Sequence, residues 1–208
     1  MAQSAVVVSS SALSDRAQRL SLVAGGIAWI PARWGVTSTW DTTWLGLGYV
    51  GWNHLMLVPL TLLGAGSLWA ARTRSTRQTR VGWAIVAAGF IAAWLGVVLE
   101  FVIGGGLREG PPELAMAGWT VYLLGTVLAG LGATATGVLL GLDAVRPRRM
   151  TAALPLGLAG VSMLAWPVLM MSGADAAGLV DQLVVGAAWA LVGLIPDARR
   201  QHGGTPGR

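Results

Sequence analysis

Long apolar runs uninterrupted by charge constrain this chain more than anything else in it. A bilayer core about 30 Å thick is crossed by roughly 20 apolar residues of helix. Six segments reach or approach that length: 17–34, 48–71, 81–104, 115–141, 150–171 and 176–195. Only 11% of the 208 residues are charged, against roughly 25% in an average soluble domain, and the mean hydropathy is +0.65. The expected fold is therefore all-α, a polytopic transmembrane bundle of about six spans. Thirty glycines suit helices that approach closely in lipid, and the length excludes a large soluble catalytic domain. The Ser-rich stretch 1–16, whose run Ala5 to Val8 is too short for a signal-peptide core, is expected to be a disordered cytoplasmic tail. Residues 17–196 then form the membrane domain and 197–208 a cytoplasmic C-terminal tail. In the first span the clean run Leu20 to Ile30 ends at Pro31 and Arg33, so that helix is expected to be tilted, kinked or only partly inserted.

Orientation follows from the arginines. All 14 basic residues are arginine, a bias that fits a GC-rich genome. Arg16 and Arg19 precede span one, Arg72 to Arg80 join spans two and three, Arg146 to Arg149 join four and five, and Arg199, Arg200 and Arg208 end the chain. Only Arg33 and Arg108 fall on the other side. The positive-inside rule then places both termini in the cytoplasm, with a bacterial plasma membrane as the expected location. The same placement makes orientation in a bilayer, and not nucleic-acid binding, the reason for a basic chain. Membrane lipid and a lipophilic small molecule are the expected partners, and oligomeric state is open. No cysteine is present, and His54 and His202 are the sole histidines. Thiolate nucleophiles, iron–sulfur centres and Cys-based zinc sites are excluded, a bis-histidine haem is not expected, and no cofactor or metal is implied.

Candidate chemistry lies near the outer ends of the helices. Glu100, near the end of span three, shares a helical face with Gly89, Ala93, Gly96 and Gly104. Small residues on one stripe mark the side that packs on other helices, so Glu100 is expected to look into the bundle. It is either a functional intramembrane acid or an interfacial carboxylate reaching water at the helix end. Asp181, a turn into span six, is either a charge favoured by the helix dipole or a second acid. Asn53 and His54 follow Trp52 at the start of span two, and His54 is either a hydrogen-bonded structural residue or a ligand. Pro59 frees the carbonyl of Leu55 and is expected to kink that span, opening a cavity near His54 or merely fitting a neighbour.

Span four sets Trp119 and Tyr122 on one stripe with Thr126, Gly130, Ala133 and Gly137, and aromatics on a packing stripe line an interior space. Span five adds Met163, Trp166 and Met170. Eleven tryptophans against two phenylalanines and two tyrosines raise the ordinary reading of an aromatic belt at both interfaces. That reading accounts for Trp69, Trp83 and Trp189, and less well for Trp119. By topology Trp52, Asn53, His54, Glu100, Phe101, Trp119, Tyr122, Trp166, Asp181 and Gln182 share one depth, which predicts a concave aromatic pocket in the outer half holding one or two carboxylates.

A carboxylic acid in a dry aromatic cavity is what acid-initiated isoprenoid cyclisation requires. The acid protonates an alkene or epoxide, and ring faces stabilise the resulting cation by about 0.5 to 2 kcal/mol each. In these two lone acids and its tryptophans the chain resembles the small integral-membrane terpene cyclases of meroterpenoid and indole-sesquiterpenoid pathways, compact helical bundles whose chemistry relies on intramembrane Glu and Asp. The resemblance implies Glu100 as leading proton donor and Asp181 as its partner or a second acid. No Asp-rich magnesium motif, Walker sequence, His-Glu-x-x-His or Gly-x-Ser-x-Gly is present, which leaves protonation as the more compatible way to start a cyclisation. Two other classes remain open: a non-catalytic membrane subunit or binding protein, and a transporter or proton-coupled channel. No internal repeat supports an inverted-repeat transporter.

Overall fold

The computed structural model describes residues 2–74, 76–106, 110–142 and 147–195. Seven α-helices follow in order: α1 Ala2–Ser38, α2 Tyr49–Leu55, α3 Leu57–Thr73, α4 Arg77–Val97, α5 Pro112–Leu142, α6 Pro147–Met171 and α7 Asp175–Leu194. A π-helical segment, Val98–Ile103, continues α4. The described residues form no strand; the nearest thing is a single pair of backbone hydrogen bonds between Trp44 and Leu47, across a turn at Leu45 and Gly46. Five stretches are long and apolar enough to cross a membrane: Tyr49–Thr73, Arg77–Ile103, Pro112–Leu142, Ala152–Met171 and Ala176–Leu194.

The rods form a closed ring, with α2 and α3 acting as one rod. Each packs on its chain neighbours, and α1 closes the ring by packing on both α3 and α7. α1 carries no glycine or proline before Gly25, and the helix runs from Ala2 through the stretch 1–16 that the sequence suggests as a disordered tail. It also continues past Pro31 to Ser38. Packing on both sides of the proline accounts for that continuity: Gly26 lies against the backbone of Ala190 and Gly186, and Gly35 lies under the ring of Trp52. At the arginine-rich end Arg19 donates to the carbonyls of Gly193 and Leu194, both at 3.0 Å, meeting the unpaired carbonyls at the end of α7.

Glycine brings the backbones together. Gly89 and Gly96 of α4 meet Ala129 and Tyr122 of α5, Gly125 meets Ala93 of α4 in return, and Gly118 meets Glu100 of the π-helical segment. Both helices repeat a glycine every seventh residue, so the seam runs antiparallel over several turns. The small-residue stripe on α4 is thus the packing face the sequence predicts. On α5 a second face, Gly130 and Gly137, seats α6 against Gly160 and Gly157.

Between these seams the mid-bundle is filled by aromatic rings. Trp29, Trp83, Phe90 and Trp189 are buried, with Phe90 to Trp189 at 5.3 Å, Trp83 to Trp189 at 6.2 Å and Trp29 to Phe90 at 6.5 Å between centroids. The belt reading therefore fits Trp69, which is exposed and donates to Ser14 at 2.6 Å, but not Trp83 or Trp189. Depth along a helix suggested the belt; rotation about the helix axis turns these two indoles inward.

Candidate functional site

Beyond the aromatic plug the ring opens into a cavity of about 480 Å3, to which every rod contributes. It lies where α1, α4 and α6 end and where α2, α5 and α7 begin. Its volume falls within the roughly 300 to 1,000 Å3 of small-molecule sites.

Glu100 comes to it on the π-helical segment. There the bonds widen, Gly104 N–H reaching Leu99 O at 3.0 Å and Gly106 N–H reaching Glu100 O at 2.8 Å. π-turns occur frequently at functional sites, and here the turn carries Glu100 and Phe101, both buried and both lining the cavity. Gly118 makes the approach possible, because a Cβ there would lie 2.6 Å from Glu100 Cβ. Glu100 is 3% exposed, and its carboxyl forms no hydrogen bond or ion pair with the described residues.

The aromatic wall has two parts. Trp119, Tyr122 and Trp166 form a triangle with all three centroid separations at 5.9 Å. Tyr49 packs edge-on against Phe101 at 5.6 Å and Trp40 at 4.7 Å. Asn53 is held by a 2.9 Å bond from Nδ2 to Tyr49 O.

Seven of the ten residues singled out from sequence line this cavity: Asn53, Glu100, Phe101, Trp119, Tyr122, Trp166 and Gln182. Trp52, His54 and Asp181 do not. Trp52 lies on Gly35, stacks on Trp44 at 4.7 Å and donates to Trp44 O at 3.2 Å, which anchors the loop carrying Trp40 to the rim. His54 is exposed, and its Nε2 lies 3.3 Å from Phe101 O, at the end of the segment that bears Glu100. Asp181 accepts from Gln182 Nε2 at 3.3 Å, is hydrogen-bonded to Ser162 and attracts the cationic Arg33, and both Gln182 and Arg33 line the cavity. Pro59 leaves the Leu55 carbonyl without its helical donor, and the cavity meets this rod at Tyr49 and Asn53, before the interruption at Met56, and not at His54.

Arg33 and Tyr49 were not among the predicted lining residues. Arg33 is 6% exposed; Nη1 donates to the Tyr122 hydroxyl at 3.2 Å, Cζ lies 4.8 Å from the Trp166 ring centroid, and Nε has no partner. The available signal was its place on the arginine-poor side, which charge counting treats as topology alone. Among the described residues no three His, Asp or Glu side chains are grouped as a metal ion would need.

No known protein-family model matches the chain, and neither a curated protein nor a solved structure shows significant similarity to it.

Proposed function

We propose that this protein is an integral-membrane cyclase that folds a linear isoprenoid in the aromatic cavity and closes rings on it after protonation by Glu100. The observation that carries the reading is a carboxyl group, buried and without a protein partner among the described residues, facing a cavity walled by aromatic rings. The Glu100 O–H bond breaks as a C–H bond forms at a substrate alkene, leaving a tertiary carbocation. An internal alkene donates its electron pair to that cation and closes the ring. Loss of a neighbouring C–H proton to the Glu100 carboxylate restores the acid, so the product is an isomer of unchanged mass. Tyr49 and Phe101, beside Glu100, and Trp119 offer ring faces to the cation. Asp181 is a positioning residue here, holding the Gln182 amide at the wall.

This reading takes α1 as a sixth span, with both termini in the cytoplasm of a bacterial cell. Its support is that α1 packs into the ring on both sides and that the arginines cluster toward one face. The absence of native cysteine makes the topology testable: single cysteines at Ser10 and Thr205 should label only in inverted vesicles, and one at Thr43 only from outside. Labelling of the two termini from opposite sides would leave five spans.

The decisive experiment incubates purified protein with linear prenylated alkenes and their epoxides and analyses the products by chromatography and mass spectrometry. Wild type should yield an isomer of unchanged mass, and Glu100→Gln should lose at least about 100-fold in rate, the scale of general-acid catalysis. Equal turnover by Glu100→Gln would remove Glu100 from the chemistry. No turnover by wild type across the panel would favour a non-catalytic binding protein.

A further inference from the structure

Arg33 is a cost the cyclase reading does not by itself explain. A guanidinium stays charged in any protein environment, and a buried cation is strongly unfavourable without compensation. No described carboxylate ion-pairs with Arg33. In direct contact it has one hydroxyl, one ring face and an unpartnered Nε, and at longer range the attraction of Asp181. It is also badly placed for the carbocation, which a neighbouring fixed positive charge repels.

The surroundings resolve both difficulties if the substrate brings a negative charge. Arg33 extends from α1 to Tyr122 on α5 and Trp166 on α6, while Glu100 comes from the π-helical segment beside Phe101, and Tyr49 interacts with both Arg33 and Glu100. Because the Tyr122 oxygen accepts from Arg33, its own proton is free to donate, and Gln182 brings an amide to the same cavity. Guanidinium, phenol and amide together suit an oxyanion, while the remaining wall is aromatic and suits a hydrocarbon chain. We propose that Arg33 is a binding site for an oxyanion head group, a carboxylate or phosphate, carried on an apolar chain, and that it fixes which end of the molecule lies away from Glu100. This rests on the cyclase reading for the identity of the chain and names the class of substrate: a linear prenyl oxyanion whose head is held at Arg33 and whose alkene terminus reaches Glu100.

Binding can be read without turnover. The protein would be reconstituted in phosphatidylcholine nanodiscs as wild type, Glu100→Gln, Arg33→Gln, Arg33→Lys and Tyr122→Phe, and titrated with a tritiated linear sesquiterpenoid carboxylic acid and the alcohol of the same chain. Wild type and Glu100→Gln should both bind the acid about tenfold or more tighter than the alcohol, the scale of a hydrogen bond to a charged group. Arg33→Gln should bind the two alike while keeping its affinity for the alcohol, which also shows that it folds. Should Arg33→Gln not fold, Arg33→Lys and Tyr122→Phe carry the test, each expected to reduce the preference for the acid but not the binding of the alcohol. Equal binding of acid and alcohol by wild type, or an undiminished preference in the Arg33 and Tyr122 variants, overturns the proposal. Native mass spectrometry separates two sources of the oxyanion: an anionic phospholipid that co-purifies with wild type, is lost in Arg33→Gln and is displaced by the acid would place the same chemistry on a membrane lipid. A preserved acid preference with no cyclised product from any substrate would overturn the cyclase reading and leave the head-group site standing.

Discussion

Aromatic rings fill the middle of the bundle and also wall its cavity, with opposite results. In the plug, Trp29, Trp83, Phe90 and Trp189 meet ring to ring and leave no room, and the indole N–H groups of all three tryptophans lack partners. Around the cavity Trp40, Tyr49, Phe101, Trp119, Tyr122 and Trp166 stand at similar separations and enclose about 480 Å3. Residue type does not separate the two regions. At the plug, Gly26, Gly89 and Gly125 bring neighbouring backbones into contact. At the cavity the rods end or begin, one of them breaks at Met56, another widens into a π-turn, and Arg33 and Glu100 bring charge-bearing groups among the rings. Aromatic content sets the surface; backbone approach decides whether that surface closes.

Mutations can break this contrast. Trp189→Ala should cost about 3 kcal/mol of stability, the lower end of the range for large-to-small changes in aqueous cores, because lipid replaces water around the opened helices and packing supplies most of the loss. Thermal unfolding in a mild detergent measures it. Gly89→Ala comes next at about 2 kcal/mol, an overpacking strain partly offset by the better helix propensity of alanine. A neutral or stabilising Gly89→Ala would mean that the seam is looser than the backbone contacts indicate. Trp119→Ala, at the cavity wall, should cost under about 1 kcal/mol of stability because it enlarges a space already open. Its larger effect should fall on turnover, about tenfold for the loss of one ring face. A Trp119 variant that unfolds but, where folded, turns over normally would erase the distinction between plug and wall. The smallest effect is expected for His54→Ala, about 0.5 kcal/mol for one hydrogen bond at a helix end, read in the same unfolding assay.

The sequence carried part of this arrangement in plain form. Charge-free runs located the rods, and the repeat of Gly89, Ala93 and Gly96 identified the face of α4 that packs and hence the side to which Glu100 turns. Trp119 and Tyr122 were readable for the same reason, since a long helix preserves its phase. What escaped were rotations where that phase is reset. Trp52 and His54 share a depth with Asn53 but lie on other sides of a short helix, and the break at Met56 prevents extrapolation from α3. Trp83 and Trp189 were read by depth when their direction decided their place. Arg33 was hidden because positive charge near a membrane has a ready topological meaning, and only its contacts with Tyr122 and Trp166 show that it serves the interior.

The π-turn at Val98–Ile103 bears on how such a protein could diversify. A π-turn accommodates an extra residue within an otherwise α-helical rod. Deleting one residue in this stretch allows it to relax to ordinary helix, which changes the side chains that the stretch itself presents while the rod before it keeps its phase. The contacts of Gly89 and Gly96 with α5 would be untouched, since they lie earlier in α4. A single in-frame codon loss or gain can therefore exchange the group presented to the cavity while leaving the packed half as it was, so that inheritance can vary the reagent and conserve the vessel.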